Sequence, residues 1–200
     1  MIILDVPQLS DEWFSARVGV PSASNFDKII TMSGKPSTQR QKYLYQLAGE
    51  KVTGCKEESY QNAAMLRGIE LEPEARNWYE WHTGNDVTEV GLCYLDDNKN
   101  VSCSPDGLIG EAGGLEIKCP SLSVHAEYLY SGKIPATYYQ QVQGSLYVTS
   151  RKWWDFLSYY PGKINSLLVT VERDEKFITK LADELEKFNL ELDKIYRKIA

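Results

Sequence analysis

The stretch Leu115-Glu116-Ile117-Lys118 constrains this chain most tightly, because its apolar and charged residues alternate with period two. Successive side chains of a strand point to opposite faces, so Leu115 and Ile117 turn to a core while Glu116 and Lys118 share the other face. Two residues on one face stand about 6.6 Å apart, close enough for a carboxylate and an ammonium to serve one small site. Upstream, Asp106 lies between Pro105 and Gly107, turn chemistry that ends a preceding strand. Gly110, Gly113 and Gly114 can then close a hairpin that returns Asp106 to the neighbourhood of Glu116.

Taken separately, a Glu-x-Lys alternation describes many solvated strand faces and Pro-Asp-Gly describes many turns. Together, at this short separation, they suit metal-assisted cleavage of a phosphodiester. The Asp106 and Glu116 carboxylates are hard ligands for Mg²⁺, with Mn²⁺ a possible substitute, and such a cation stabilises charge developing on a phosphate. Lys118 can orient the attacking water or neutralise the transition state.

The rest of the composition narrows the alternatives. Cys55, Cys93, Cys103 and Cys119 form no C-x-x-C pair, so reduced structural thiols are expected rather than disulfides, zinc or an iron-sulfur cluster. With His82 and His125 alone, a His-rich metal site or a catalytic triad is disfavoured, leaving carboxylates and lysine for catalysis. A net charge of -6 argues against a simple basic DNA-coating protein, although a local basic surface suffices to hold a substrate strand. The opening Met-Ile-Ile-Leu-Asp is too short an apolar run for a signal peptide, and no stretch approaches a membrane span. The expectation is a single cytoplasmic domain over residues 1–200, with no membrane partner.

Ser104-Pro105-Asp106-Gly107-Leu108 followed by Gly114-Leu115-Glu116-Ile117-Lys118-Cys119-Pro120 resembles the core of the phage lambda exonuclease family, the YqaJ-like viral recombinases or alkaline exonucleases of the PD-(D/E)XK nuclease superfamily. Trp13-x-x-x-Arg17-x-Gly19-x-x-Ser22-Ala23-Ser24 is similar to the family's amino-terminal motif, which implies phosphate contacts for Arg17 and Ser24. Gly68-x-x-x-Glu72-x-x-Ala75-Arg76 resembles a motif whose glutamate joins the metal site, and this maps to Glu72. The resemblance also implies the Ile117 carbonyl as a further metal ligand, Ser104 near the scissile phosphate, and Gln141, within Gln141-Val142-Gln143-Gly144-Ser145-Leu146-Tyr147, as a substrate contact. Surface charge, helix capping and a solvated amide face are the plain structural readings of Arg17, Ser24 and Gln141.

Elsewhere the pattern predicts a helix over 10–18 capped by Ser10, and a second from Ser22 or Ala23 to Ile30. A third, over 38–52, is capped by Ser37 and stopped by Gly54. A helical stretch from Tyr60 to Trp81 is interrupted at Gly68 and Pro73. Strands are expected over 86–94 and 101–104 around an Asp96-Asp97-Asn98 turn, then helices over 123–131 and 135–149. The aromatic run Trp153 to Tyr160 reads as a core strand, followed by a strand over 166–172. The last helix, over 174–199, carries Leu181, Leu185, Phe188, Leu192, Ile195 and Ile199 on one stripe, expected to dock onto the sheet, with a subunit contact as the second reading.

The fold expected is α/β, a central mixed sheet flanked by helices, with Asp106, Glu116 and Lys118 at the edge of a cleft. The resemblance implies a Mg²⁺-dependent 5′ to 3′ exodeoxyribonuclease acting at double-stranded DNA ends, giving mononucleotides and 3′ overhangs for recombination. It further implies a phage or prophage origin, a ring-shaped homotrimer and a single-strand annealing partner. A PD-(D/E)XK endonuclease and a non-catalytic DNA-end-binding scaffold are the alternatives.

Overall fold

The computed structural model describes residues 1–56 and 63–200. Along the chain run β1 (Ile2–Leu4), α1 (Asp11–Ala16), a 3₁₀ segment (Ala23–Lys28), α2 (Arg40–Thr53), α3 (Ala63–Thr83), β2 (Val87–Thr88), β3 (Leu92–Tyr94), β4 (Ser102–Cys103), β5 (Gly107–Ile109) and β6 (Gly113–Lys118). There follow α4 (Leu122–Ser131), α5 (Tyr139–Thr149), β7 (Trp153–Ser158), β8 (Leu167–Glu172) and α6 (Glu175–Ile199). The larger sheet has the order β2-β5-β6-β7-β8, and a smaller one the order β1-β3-β4. Only β6 and β7 pair in parallel within the larger sheet, so it is mixed, as expected.

The period-two alternation decides which face of β6 meets which helix. Leu115 and Ile117 pack with Ala75 and Tyr79 of α3. On the opposite face, Trp154 and Phe156 of β7 join Phe26, Val142 and Leu146 in the main core. Both faces of the central strands are therefore covered, and Glu116 is 2% exposed, far from a solvated strand face. Gly110, at φ +48°, makes the β5–β6 turn, whereas Gly113 and Gly114 are strand residues. A Cβ at Gly114 would run into the Trp154 ring, and one at Gly144 into the Phe26 ring, so each glycine permits a close approach of its element.

Several local expectations are corrected by long-range packing. The helix over 22–30 is a six-residue 3₁₀ segment. The next begins at Arg40 with Gln39 in the cap position, and the Ser37 hydroxyl accepts only from the Gln39 amide. Gly54 ends α2 in the left-handed region as expected. Across its described residues α3 runs unbroken through Gly68 and Pro73, because burial of Ala75 and Tyr79 outweighs one lost helical hydrogen bond. Its expected start at Tyr60 lies outside the described residues. Residues 86–94 split into β2 and β3, which belong to different sheets. The stretch 135–149 begins as a 3₁₀ turn, Ala136–Tyr138, before α5.

The stripe on α6 docks chiefly on α2 rather than on the sheet. The Phe188 and Tyr43 rings lie 5.6 Å apart, Arg40 makes a two-pronged contact with Glu191, and Lys51 pairs with Asp193. Asp174 caps α6 by accepting from the Phe177 amide. The four cysteines are free: Cys93, Cys103 and Cys119 are buried, while Cys55 is exposed. Asp96 accepts from the Asn98 amide and forms the expected turn. No helix among the described residues is long and apolar enough to cross a membrane.

Candidate active site

The β5–β6 hairpin builds the centre of the site. Gly107 pairs with Leu115, so one further step along the antiparallel ladder brings Asp106 opposite Glu116. The ladder ends there, and the Ile117 amide donates to Asp106 Oδ2 at 2.6 Å. Lys118, two residues beyond Glu116 on the same face, places Nζ 2.5 Å from Glu116 Oε1. Gln141 of α5 donates its amide to the same oxygen at 2.6 Å. One carboxylate is thus held by a lysine from its own strand and a glutamine from the helix above.

These charges tune one another. Burial, reinforced by the Glu116 carboxylate, holds the Asp106 carboxyl well above the usual range, against Lys118 and the Ile117 amide. Burial alone would lower the Lys118 ammonium, but Glu116 and Asp106 outweigh it and keep the lysine protonated. A protonated Lys118 can hold a water or stabilise negative charge. Glu72 of α3 is also raised, first by burial and then by Glu116 and Glu89, while Arg76 at 2.6 Å opposes this.

All nine candidate residues reach the wall of one cleft of about 650 Å³: Arg17, Ser24, Glu72, Ser104, Asp106, Glu116, Ile117, Lys118 and Gln141. Their engagements differ. The Arg17 guanidinium stacks on Trp13 at 4.0 Å. Ser24 is exposed, and the short 3₁₀ segment leaves its hydroxyl as its own contribution, without the dipole of a long helix. The Ser104 hydroxyl donates to the Gly91 carbonyl and accepts from Trp13 Nε1, so its proton is committed to the protein. Glu70 and Glu74 are exposed, and Glu74 accepts from Tyr159.

Other residues that brace the cleft carried no signal in the sequence. Gln8 donates to the Val90 and Pro105 carbonyls and braces the turn before Asp106. Arg67 donates to the Pro120 carbonyl at 2.6 Å and ties the segment after β6 to α3. The Tyr138 ring centroid lies 5.1 Å from Lys118 Nζ. Trp13 stood inside the amino-terminal motif, yet its anchoring of Gly91 and Ser104 emerges only from the fold.

The donor set fits a hard divalent cation. Asp106 and Glu116 raise the local negative charge in a buried place, which a cation would offset. Among the described residues no three His, Cys, Asp or Glu side chains form a complete cage. Water and substrate oxygens would fill the remaining positions, as suits Mg²⁺.

The YqaJ-like viral recombinase domain matches residues 12–152. The chain belongs to this family. An alkaline exonuclease from Laribacter hongkongensis, LHK-Exo, shares 37% identity with this YqaJ-like chain, covering 95% of it and 96% of LHK-Exo at a TM-score of 0.86. LHK-Exo in complex with dAMP matches over the same shares at 38% identity and a TM-score of 0.86. A phage-related exonuclease from Haemophilus somnus 129PT, at 17% identity and a TM-score of 0.71, covers 90% of this chain and 96% of its own, and shares the fold. No curated protein matches the sequence significantly. The architecture is that of the PD-(D/E)XK alkaline exonucleases, and this YqaJ-like chain is a nuclease.

Proposed function

We propose that this nuclease is a Mg²⁺-dependent exodeoxyribonuclease that degrades one strand of double-stranded DNA from its 5′ end, releasing mononucleotides and leaving a 3′ overhang. The observation that carries the reading is the junction of Asp106, Glu116, Lys118 and Gln141 within one cleft. The dAMP held by LHK-Exo supports a deoxynucleotide product.

Asp106, Glu116 and the Ile117 carbonyl would hold the cation, with Glu72 joining once its pair with Arg76 opens. When bound, the cation supplies Lewis-acid stabilisation of negative charge on the phosphate. Lys118 orients the attacking water and offsets charge on phosphorus, while Gln141 fixes Glu116 in the orientation this requires. Arg17 and Ser24 hold a substrate phosphate on the other part of the wall, with Ser104 beside them as a link from Trp13 to Gly91. The family resemblance extends the reading to a ring-shaped homotrimer and a single-strand annealing partner.

Linear duplexes labelled at one 5′ or one 3′ end, incubated with Mg²⁺ and then with EDTA, test this. Early Mg²⁺-dependent release of the 5′ label is expected, and covalently closed circles should stay intact. Early 3′ release would reverse the polarity, and cutting of closed circles would make the protein an endonuclease.

A further inference from the structure

The space around the active site continues past Arg17. A second groove of about 1000 Å³ shares Leu9, Trp13, Arg17, Met65 and Ile69 with the first cleft and opens toward Lys28 and Lys56, which do not line the first. The side chains described along its wall are mainly cationic. Among its described lining residues Arg17, Lys28 and Lys56 face a single carboxylate, Asp11, in a protein of net charge -6.

The buried Glu50 carboxylate acts on Arg17 and Lys56 from behind the groove without lining it. None of the three cations forms an ion pair among the described residues. Arg17 leans on Trp13, Lys28 lies 5.3 Å from the Tyr43 ring, and among the described residues Arg17 Nε is buried with no hydrogen-bond partner. Burial lowers the Lys56 ammonium to about 8, Arg17 and Lys28 add to the effect, and Glu50 opposes it. An anion among the three would relieve that repulsion.

The same wall carries exposed apolar side chains, Leu9, Phe14, Met65 and Ile69. Cations along a groove interleaved with apolar and aromatic faces suit one polynucleotide strand, whose phosphates take the charges and whose bases take the faces. A duplex keeps its bases stacked inside and has no use for the second feature.

We propose that this groove receives a single-stranded 5′ extension, nucleotides that continue beyond the phosphate held at Arg17, with Lys28 and Lys56 on their backbone and Phe14 and Leu9 against their bases. The inference rests on the exonuclease reading given above. Its consequence is a change of first product. At a blunt end the first hydrolysis releases a mononucleotide, whereas at an extended end the same hydrolysis releases the extension as an oligonucleotide, and mononucleotides follow.

The test uses the full chain with Mg²⁺ and three 5′-labelled duplexes: blunt, 5′-extended by a few nucleotides, and 3′-extended. A labelled oligonucleotide is expected as the first product from the 5′-extended end, and a labelled mononucleotide from the other two. In Lys28→Glu/Lys56→Glu the ratio of kcat/KM for 5′-extended over blunt ends should fall about tenfold, as two lost phosphate contacts imply. If that variant does not fold, Lys28→Gln/Lys56→Gln should show a smaller fall, and the wild-type product length stands by itself. Removal of the extension one nucleotide at a time, or an equal fall for all three duplexes, would overturn the proposal. A wild type that releases nothing from any duplex would overturn the exonuclease reading and this one together.

Discussion

Asp106 Oδ2 accepts the Ile117 amide hydrogen at 2.6 Å, so the aspartate is tied to the backbone of the strand that presents Glu116 and Lys118. The bond replaces the ladder pairing that ends at Gly107 and Leu115. Because it involves the backbone, the spacing of the two carboxylates survives changes in neighbouring side chains. Among the described residues no hydrogen bond falls on Asp106 Oδ1, which leaves that oxygen for the proposed cation.

Asp106→Asn keeps a side-chain oxygen for the Ile117 amide but removes the charge. Mg²⁺-dependent cleavage should fall by at least ~10²-fold, with the fold intact by circular dichroism. Retained cleavage would remove Asp106 from the metal site.

The same aspartate makes stability depend on pH. Its folded-state carboxyl is raised above the unfolded value of about 3.9, so the folded state binds the proton more tightly. Stability of the metal-free protein is therefore greatest at low pH with respect to this group, and is lost as pH rises from that value through the folded one. In EDTA, Asp106→Asn should melt higher than the wild type at neutral pH, and the gap should narrow toward pH 4. Mg²⁺ should raise the wild-type Tm more than that of the variant. Thermal unfolding across pH, with and without Mg²⁺, checks both.

Gln141 separates two roles by kinetics. Its amide holds Glu116 Oε1 at 2.6 Å, the contact expected of a positioning residue. Gln141→Ala should lower kcat about tenfold while KM for duplex DNA changes little. A rise in KM at constant kcat would return Gln141 to direct substrate contact.

Lys118→Ala leaves the buried Glu116 carboxylate without its ammonium partner. Cleavage should fall at least ~10²-fold. Binding of a labelled duplex in Ca²⁺ should persist, as read by fluorescence anisotropy.

The docking of α6 on α2 rests on Phe188, which is fully buried, and not on Leu190, which is 59% exposed. Phe188→Ala should cost about 3–5 kcal/mol in urea unfolding. Leu190→Ala should stay within about 0.5 kcal/mol.

What was readable in the sequence was what neighbours along the chain decide. The Ser10 cap, the Gly54 stop and the Asp96 turn each close a hydrogen bond or a backbone conformation within a few residues. The alternation in Leu115-Glu116-Ile117-Lys118 fixed which side chains share a face. The fold had to decide the rest. Pro73 is tolerated inside α3 because distant strands bury Ala75 and Tyr79, and the stripe on α6 meets α2 because the sheet face is already covered by α5 and the 3₁₀ segment. Glu116 and Gln141 stand 25 residues apart, and Arg17 joins Lys28 and Lys56 in a groove only where α1, the 3₁₀ segment and the end of α2 converge. Periodicity and capping act over one or two turns and leave their mark in local order. Which faces meet depends on the burial of surfaces from remote parts of the chain, and that is settled only when the whole core closes.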